Sequence, residues 1–263
     1  ARPAFSAADM EARRWLVGRM EEAGLDASID GVGNVIGYSQ NPGPALLLGS
    51  HTDSQPTGGW LNGALGVVYG LEAVRTMGAD PETSSLSLDV VSCSDEEGAF
   101  MGTMGSKSFC GKLNHRDMER ARNLRTGQSL LEAIAETGLE NLPLARLDPS
   151  RHVAYLEAHI EQGPYLEADK KLLGVVTAIV GIRTFTIRFS GEQNHAPGAW
   201  NAIPSGAGHD AQVLARHIPS GMLFIPSIGG ISHDIAEDTS EEDTIRGCRA
   251  FVEATRGVLE AIH

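Results

Sequence analysis

The sequence predicts an α/β fold with a mixed, mainly parallel sheet, and three observations support this class. Apolar runs of strand length lie at residues 45–48, 86–93, 153–159 and 222–226, and such runs are typical of parallel strands that are buried on both faces. Segments with helical periodicity lie between and after these runs. Histidine and carboxylate residues follow several of the strands, which is where open α/β sheets place their ligands.

Three longer helices are predicted from apolar residues at helical spacing. The first covers residues 7–23, with Ser6 as its N-cap and Gly24 as its end, and the others cover residues 63–77 and 241–262. The side chains expected to face the interior are Met10, Trp15, Leu16, Met20 and Ala23 in the first, Ala64, Leu65, Val68, Leu71 and Val74 in the second, and Ile245, Cys248, Val252, Val258 and Leu259 in the third.

Shorter elements complete the prediction. A charged segment at residues 113–147 is predicted to be helical with a solvated face. The remaining predicted elements are strands at residues 31–38, 174–180 and 183–189, and helices at residues 102–110 and 206–216.

Four of the strand ends carry residues that could bind a metal. These residues are His51 with Asp53, Glu96 with Glu97, His159, and His233. Two adjacent carboxylates repel each other unless a cation or a shared proton relieves them. Imidazole nitrogens with carboxylate oxygens suit Zn²⁺, with Mn²⁺ or Co²⁺ as alternatives. In an extended backbone, Asp53 would lie on the same side as His51 and could orient its imidazole.

The order of the motifs resembles a known enzyme family. They are His-x-Asp at 51–53, Gly-Gly-x-x-Asn-Gly-Ala-Leu-Gly at 58–66, Glu-Glu-Gly at 96–98, His-Ile-Glu-Gln-Gly at 159–163, Gly-Glu-x-Asn-His-Ala at 191–196, Pro-Ser-Gly-Ala-Gly-His-Asp-Ala at 204–211 and Gly-Ile-Ser-His at 230–233. This order is similar to that of the hydantoinase/carbamoylase group of M20-type binuclear zinc amidohydrolases. The group includes N-carbamoyl-L-amino-acid hydrolases, β-ureidopropionases and allantoate amidohydrolases. The resemblance implies a three-layer α/β/α zinc-hydrolase catalytic domain.

The resemblance also implies roles for individual residues. Glu96 matches the general base, which takes a proton from a water between two metal ions as that water attacks the amide carbonyl. Asp53 would orient His51, and His195 would reach across a dimer to polarise the substrate carbonyl. The implied ligands of the two divalent ions are His51, Asn62, Glu97, His159 and His233, with position 62 bridging both ions. The implied substrate-binding loop consists of Gly206, Ala207, Gly208 and His209.

Two positions depart from the family pattern, and they keep other functions open. The leading function is hydrolysis of a linear amide C–N bond in an N-carbamoyl (ureido) or N-acyl amino acid. Asn62 stands where the family has Asp, and because an amide offers one carbonyl oxygen, ordinarily to one ion, the second metal is predicted to bind weakly. This favours an impaired form, engineered or natural, or a catalytically dead ligand-binding homologue. Ile182 replaces a Gln common in carbamoylases, which favours an aminopeptidase or N-acyl-amino-acid amidase of the same superfamily.

The resemblance also sets the predicted domains. Residues 1–180 and 204–263 are expected to form the catalytic metal-binding domain, and residues 181–203 are expected to be a remnant of a lid and dimerisation domain. Family members carry a long segment where this chain has only residues 197–203, so a segment is expected to be missing there. A homodimer through that domain is expected for the complete protein.

Composition argues against two classes of partner. The net charge of −13, from 21 basic and 34 acidic residues, argues against nucleic acid, which needs basic patches. A membrane is not expected, because no apolar run is long enough to span a bilayer and no signal peptide precedes the first helix. Cys93, Cys110 and Cys248 show no metal-ligand spacing and cannot all pair, which predicts a reducing, cytoplasmic setting.

Overall fold

The computed structural model describes residues 1–179, 203–205 and 207–262. Its sheet has eight strands in the order β1-β2-β4-β3-β5-β8-β6-β7. The strands are β1 (Asp26–Ile29), β2 (Val35–Tyr38), β3 (Ala45–His51), β4 (Ser87–Cys93), β5 (His152–Ile160), β6 (Gly174–Ile179), β7 (Ile203–Ser205) and β8 (Ser220–Ile225). The helices are α1 (Ala7–Glu22), α2 (Ala64–Ala79), α3 (Met104–Phe109), α4 (His115–Arg120), α5 (Leu130–Glu136), α6 (Tyr165–Ala168), α7 (Asp210–Leu214) and α8 (Glu241–Ile262), with a 3₁₀ turn at Ile228–Gly230.

Four parallel strands form the centre of the sheet. β3 pairs with β4 on one side and with β5 on the other, and β5 pairs with β8. The outer pairs β1–β2, β2–β4 and β6–β8 are antiparallel. The predicted mixed, mainly parallel sheet is therefore confirmed, and the central strands all end at one edge.

Helices cover both faces of this sheet, which gives three layers. β3 shows why, because its successive side chains point to opposite faces. Leu46 and Leu48 pack in the core cluster that includes residues of α1, α2 and α8, such as Phe251. Leu47 packs in a second cluster with Phe109 and Leu214, which belong to α3 and α7.

Two predicted elements were wrong in extent. Residues 31–38 were expected to form one strand, but the chain turns at Asp30, whose Oδ1 accepts hydrogen bonds from the backbone of Val32 and Asn34. The turn separates β1, which was not predicted, from β2. Residues 113–147 hold only α4 and α5 rather than a continuous helical segment. Gly127 and Gly138 both have φ of +75° there, which an α-helix does not accommodate.

Three side chains that were predicted to face the interior are exposed. Trp15 is 55% exposed, Val68 42% and Ile245 46%. Together with Trp60 they line an apolar groove of about 830 Å³ between α1, α2 and α8. Helical periodicity marks an apolar face correctly, but it does not distinguish a face against the sheet from one that borders a groove.

Other expectations have mixed outcomes. The helix predicted at residues 206–216 is limited to α7, and the strand predicted at 183–189 lies outside the described residues. Cys93, Cys110 and Cys248 are all unpaired. Within the described parts of the chain, no helix is both long and apolar enough to cross a membrane.

Candidate active site

The histidine and carboxylate residues singled out in the sequence meet at the carboxyl edge of the sheet. His51 is the last residue of β3, and Glu97 follows β4. His159 lies near the end of β5, and its ring centroid is 5.8 Å from that of His51. His233 lies in the segment after β8, with Nε2 3.3 Å from Oε2 of Glu97. Residues that lie on, or follow, four separate strands therefore form one cluster.

Within this cluster, one group of three has the geometry to hold a metal ion. Ligand atoms of His51, Glu96 and Glu97 all lie within 4.8 Å of one another. Nε2 of His51 and Oε1 of Glu97 are buried and have no hydrogen-bond partner among the described residues. Buried polar atoms without a partner are costly. A cation at this place would satisfy both atoms, so the residues fit a divalent metal.

The side chain of Asp53 forms hydrogen bonds with the backbone of the two glutamates. Its carboxylate accepts hydrogen bonds from the backbone N–H groups of Glu96, at 3.3 Å, and Glu97, at 3.1 Å. Nδ1 of His51 lies 3.1 Å from the backbone oxygen of Asp53 but 3.5 Å from its carboxylate. The backbone carbonyl, rather than the expected carboxylate, is therefore the closer partner of the imidazole.

Asn62 is buried just before α2, beside the cluster. Its side-chain amide donates to Oγ of Ser232 at 3.2 Å. The next residue, Gly63, has φ of +65° and donates its backbone N–H to Nε2 of His159 at 3.1 Å. A Cβ at Gly63 would lie 2.2 Å from Nε2 of His51. Only glycine fits this position, both for its backbone conformation and for the space available.

Sequence reasoning missed Gln55 and Gln162, which contact the cluster. Nε2 of Gln55 donates to Oε2 of Glu97 at 2.7 Å. Nε2 of Gln162 lies 2.9 Å from Nε2 of His233. Gln162 could have been found, because it belongs to the His-Ile-Glu-Gln-Gly motif. For Gln55, the only sequence feature that could have indicated a place in the site is that it lies four residues after His51.

Glu237 was also missed, although it joins two loops of the site. Oε1 accepts hydrogen bonds from the backbone of Leu61 at 3.3 Å and of Asn62 at 3.2 Å. Oε2 accepts from the backbone of His233 at 2.9 Å and from the Ser232 hydroxyl at 3.3 Å. Nothing in the local sequence distinguishes this buried glutamate from a surface carboxylate.

The charges of the cluster shift its pKa values strongly. Burial alone would lower the pKa of His51, but the nearby charges of Glu96, Asp53 and Glu97 raise it well above its usual value. Burial and the positive charge of His51 lower the pKa of His159 to about 3. Burial raises the pKa of Glu96 well above its usual value. Burial would also raise the pKa of Glu97, but the interaction with His233 outweighs burial and the pKa lies below its usual value.

The predicted substrate-binding loop is partly described. Ala207 and Gly208 line a cavity of about 1100 Å³, which is also lined by Glu96, Glu97 and His233. His209 is buried, with its ring centroid 4.5 Å from that of His159. Burial, followed by the electrostatic influence of His159, lowers the pKa of His209 well below its usual value. Gly206, Ile182 and His195 lie outside the described residues.

Comparisons with known proteins agree with this arrangement. The model of Peptidase family M20/M25/M40 matches residues 47–256. An amidase of the hydantoinase/carbamoylase family from Burkholderia phymatum has a similar crystal structure. The two structures align with a TM-score of 0.86 and 34% sequence identity. The alignment covers 100% of this chain and 93% of that chain.

Two curated relatives show how much of the chain is shared. The N-carbamoyl-L-amino acid amidohydrolase of Geobacillus stearothermophilus is 36% identical over 224 residues, covering 82% of this chain and 53% of the relative. The allantoate amidohydrolase of Escherichia coli is 26% identical over 366 positions, covering 92% of this chain and 89% of the relative. That alignment is longer than this chain, so the relative has internal residues without a counterpart here.

The chain spans about half the length of the first curated relatives it matches. The family match nevertheless covers most of this chain and includes the described cluster from His51 to His233. The protein therefore belongs to Peptidase family M20/M25/M40.

Proposed function

We propose that this chain is the catalytic part of a metal-dependent amidohydrolase that cleaves the linear C–N bond of an N-carbamoyl or N-acyl amino acid. One observation carries the proposal. Histidines and glutamates that end or follow four strands form a cluster in which two buried atoms, Nε2 of His51 and Oε1 of Glu97, have no described hydrogen-bond partner. Similarity to an N-carbamoyl-L-amino acid amidohydrolase and an allantoate amidohydrolase supports the choice of substrate class.

Two divalent ions would be held by residues of this cluster. The proposed ligands are His51, Asn62, Glu97, His159 and His233. Nitrogen and oxygen donors suit Zn²⁺, with Mn²⁺ or Co²⁺ as alternatives. Such ions supply Lewis acidity, which makes water more acidic and stabilises negative charge on a carbonyl oxygen.

Glu96 is proposed to be the general base. Its carboxylate lines the cavity and lies 3.4 Å from Nε2 of His51. Its neighbour Glu97 is held by both Gln55 and His233, which suits a fixed ligand. The carboxylate of Asp53 accepts hydrogen bonds from the backbone of both glutamates. Glu96 is therefore held in a fixed position relative to Glu97, and from there it can accept a proton. Glu96 would later donate this proton to the leaving nitrogen.

The complete active site is proposed to need more than the described residues. We infer that His195 polarises the substrate carbonyl from the partner subunit of a homodimer. The longer alignment with the allantoate amidohydrolase supports an additional internal segment in relatives. A reducing, cytoplasmic location is supported by the three unpaired cysteines. Sedimentation that finds a fully active monomer would contradict the dimer.

Asn62 supports a second candidate function, a ligand-binding homologue without turnover. Its amide donates to Ser232, and an amide lacks the negative charge with which a carboxylate would offset two cations. A binding protein would retain the ligand pocket but would not need a base at position 96.

The test compares the unchanged protein with Glu96→Gln and with a control, Glu253→Gln on the exposed face of α8. Each is assayed for metal content and for hydrolysis of N-carbamoyl and N-acyl amino acids. General-base removal is expected to reduce kcat by about 10²-fold to 10⁴-fold, with the control unchanged. Metal content should be retained, because the five proposed ligands do not include Glu96. Bound metal without hydrolysis of any substrate would favour the binding homologue.

A further inference from the structure

The two adjacent glutamates of the cluster lie in the loop between β4 and α3. Ligand atoms of Glu96, Glu97 and His51 lie within 4.8 Å of one another, so both glutamates reach the same place. Neighbouring side chains point to opposite faces of an extended strand, and a strand could not direct both carboxylates in this way. The pair is instead bracketed by two residues with left-handed backbones, Asp95 with φ of +52° and Gly98 with φ of +76°.

The side chain of Asp95 closes this loop on itself. It is fully buried, and its Oδ2 accepts hydrogen bonds from the backbone N–H groups of Phe100 at 3.0 Å and Met101 at 2.7 Å. Burying a carboxylate costs free energy unless hydrogen bonds compensate. The carboxylate therefore joins the two sides of the loop, and Glu96 and Glu97 lie between them.

The backbone on either side of the glutamates is held as well. The carbonyl of Asp95 accepts a hydrogen bond from the backbone of Met104 at 3.3 Å, and the carbonyl of Glu96 accepts one from Thr103 at 3.1 Å. A left-handed backbone costs free energy for a residue with a side chain, and it persists only where surrounding contacts impose it. The two hydrogen bonds to the Asp95 carboxylate are among those contacts.

We propose that Asp95 is a positioning residue of the active site, whose carboxylate keeps Glu96 and Glu97 directed at the cluster by accepting the N–H groups of Phe100 and Met101. The part of this inference that concerns metal binding and catalysis rests on the proposed function. A single oxygen, Oδ2, makes both short hydrogen bonds, and an amide oxygen also has two lone pairs. The acceptor atom rather than the negative charge therefore performs this role.

Two substitutions separate the acceptor from the backbone conformation. Glycine and asparagine both tolerate a left-handed backbone, but only asparagine keeps an acceptor oxygen. Asp95→Gly therefore removes the contact, and Asp95→Asn retains it. The matched control is Asp89→Ala, which removes a second fully buried aspartate that accepts a backbone hydrogen bond, here from Ser39 at 2.7 Å.

Hydrogen exchange of the metal-free protein tests the positioning directly. The N–H groups of Glu96 and Glu97 donate to a different carboxylate, so they report on the loop without being partners of Asp95. In Asp95→Gly they should exchange about tenfold faster relative to the N–H of Leu48 in the central strand β3, which reports on global opening. In Asp95→Asn and in the control this ratio should change less than about threefold. An unchanged ratio in Asp95→Gly would overturn the proposal.

Zinc titration measures the consequence for the site. Metal-free protein titrated calorimetrically with Zn²⁺ should bind it about 10-fold to 100-fold more weakly in Asp95→Gly, with little change in Asp95→Asn and in the control. If a substrate is hydrolysed, kcat of Asp95→Gly at saturating Zn²⁺ should fall while KM stays nearly constant. An equal loss of affinity in Asp95→Asn would overturn the role of the acceptor, and this variant decides the question even if Asp95→Gly does not fold.

The exchange experiment also separates this inference from the proposed function. It needs neither metal nor turnover. Faster exchange of Glu96 and Glu97 in Asp95→Gly, without hydrolysis of any substrate by the unchanged protein, would support the positioning role and contradict the amidohydrolase. Normal hydrolysis by Asp95→Gly with unchanged exchange would do the reverse.

Discussion

The backbone N–H of His233 donates a 2.9 Å hydrogen bond to Oε2 of Glu237. His233 has a left-handed backbone with φ of +61°, a conformation that costs free energy for a residue with a side chain. Oε1 of the same carboxylate holds the segment of Asn62. Glu237 therefore links the segments that carry two proposed ligands, Asn62 and His233.

Replacing Glu237 should damage both stability and metal binding. In Glu237→Ala, the buried backbone donor of Asn62 and the partly buried donor of His233 lose their acceptor, and an unsatisfied buried group costs about 1–3 kcal/mol. We expect the free energy of unfolding to fall by about 3 kcal/mol and the weaker ion to be lost first. Urea unfolding and metal analysis measure these effects, with Glu253→Ala on exposed α8 as the control. Metal content equal to that of wild type would show that the two loops keep their positions without this carboxylate.

Replacing each of two glycines near the ends of α2 by alanine should change the stability of the protein in opposite directions. In Gly63→Ala the new methyl group would collide with the His51 ring, and the positive φ adds strain of about 1–2 kcal/mol. We expect this variant to lose metal and to unfold more easily. In Gly78→Ala, near the end of α2, the methyl group meets nothing within 4 Å, so helix propensity should stabilise the protein by about 0.5–1 kcal/mol. Thermal unfolding and metal analysis of both variants compare them directly, and normal metal binding by Gly63→Ala would contradict the geometry.

Asn62→Asp should strengthen binding of the second ion. A carboxylate at position 62 would place a negative charge beside the two proposed cations and would reduce their repulsion. We expect calorimetric titration with Zn²⁺ to change from one tight and one weak site to two tight sites. If the chain is a hydrolase, turnover should rise about 10²-fold or more, which is typical of restoring one stabiliser of a developing oxyanion. Asn141→Asp, on an exposed loop, is the control. Equal metal binding before and after the Asn62 change would show that the amide bridges adequately.

The buried Asp89 on β4 leads to a prediction of how the stability of the fold depends on pH. Burial would raise its pKa, but the contact with His152, 3.2 Å away, and hydrogen bonds from Arg151 and the backbone of Ser39 lower the pKa below its usual value. A carboxylate with a lowered folded pKa stabilises the fold above its unfolded pKa of about 3.9, and this contribution disappears as the pH falls through the folded pKa.

The corresponding variant is Asp89→Asn, which leaves Arg151 without its buried partner. Breaking a buried pair costs about 3–5 kcal/mol, and because Arg151 is about one-quarter exposed we expect about 2 kcal/mol. Urea unfolding at pH 7 should show this loss in full, and the difference from wild type should shrink below about pH 4. Asp26→Asn, on exposed β1, should show no comparable loss. A difference that is constant from pH 7 to pH 3 would contradict the assignment.

The sequence predicted the central sheet and the cluster well because both depend on local patterns. The run Ala45-Leu-Leu-Leu has no alternative to burial on both faces, and His51 must then lie at the edge where the strand ends. The same holds for Glu97 after β4 and for His159 in β5. Parallel pairing brings these ends together, so their meeting follows from the strand pattern alone.

The unpredicted features depend on contacts between distant segments. Glu237 joins residues 61–62 to residues 232–233, and no local sequence pattern predicts such a contact. Asp53 was expected to orient the imidazole of His51, and its carboxylate lies 3.5 Å from Nδ1. Its hydrogen bonds to the backbone of Glu96 and Glu97 were not predicted. Trp15 was predicted to be in the core because periodicity alone cannot show that its neighbours border a groove.

The distribution of the cluster along the chain has a consequence for biosynthesis. His51, Glu97 and His159 leave the ribosome well before β8, whose pairing with β5 places His233. Domains generally fold as units during synthesis. We therefore expect tight metal loading to begin only after residue 237 has emerged, when Glu237 can hold the loop of His233. Ribosome-bound chains stalled after Ile225 should retain little Zn²⁺, whereas chains stalled after α8 has emerged should retain it.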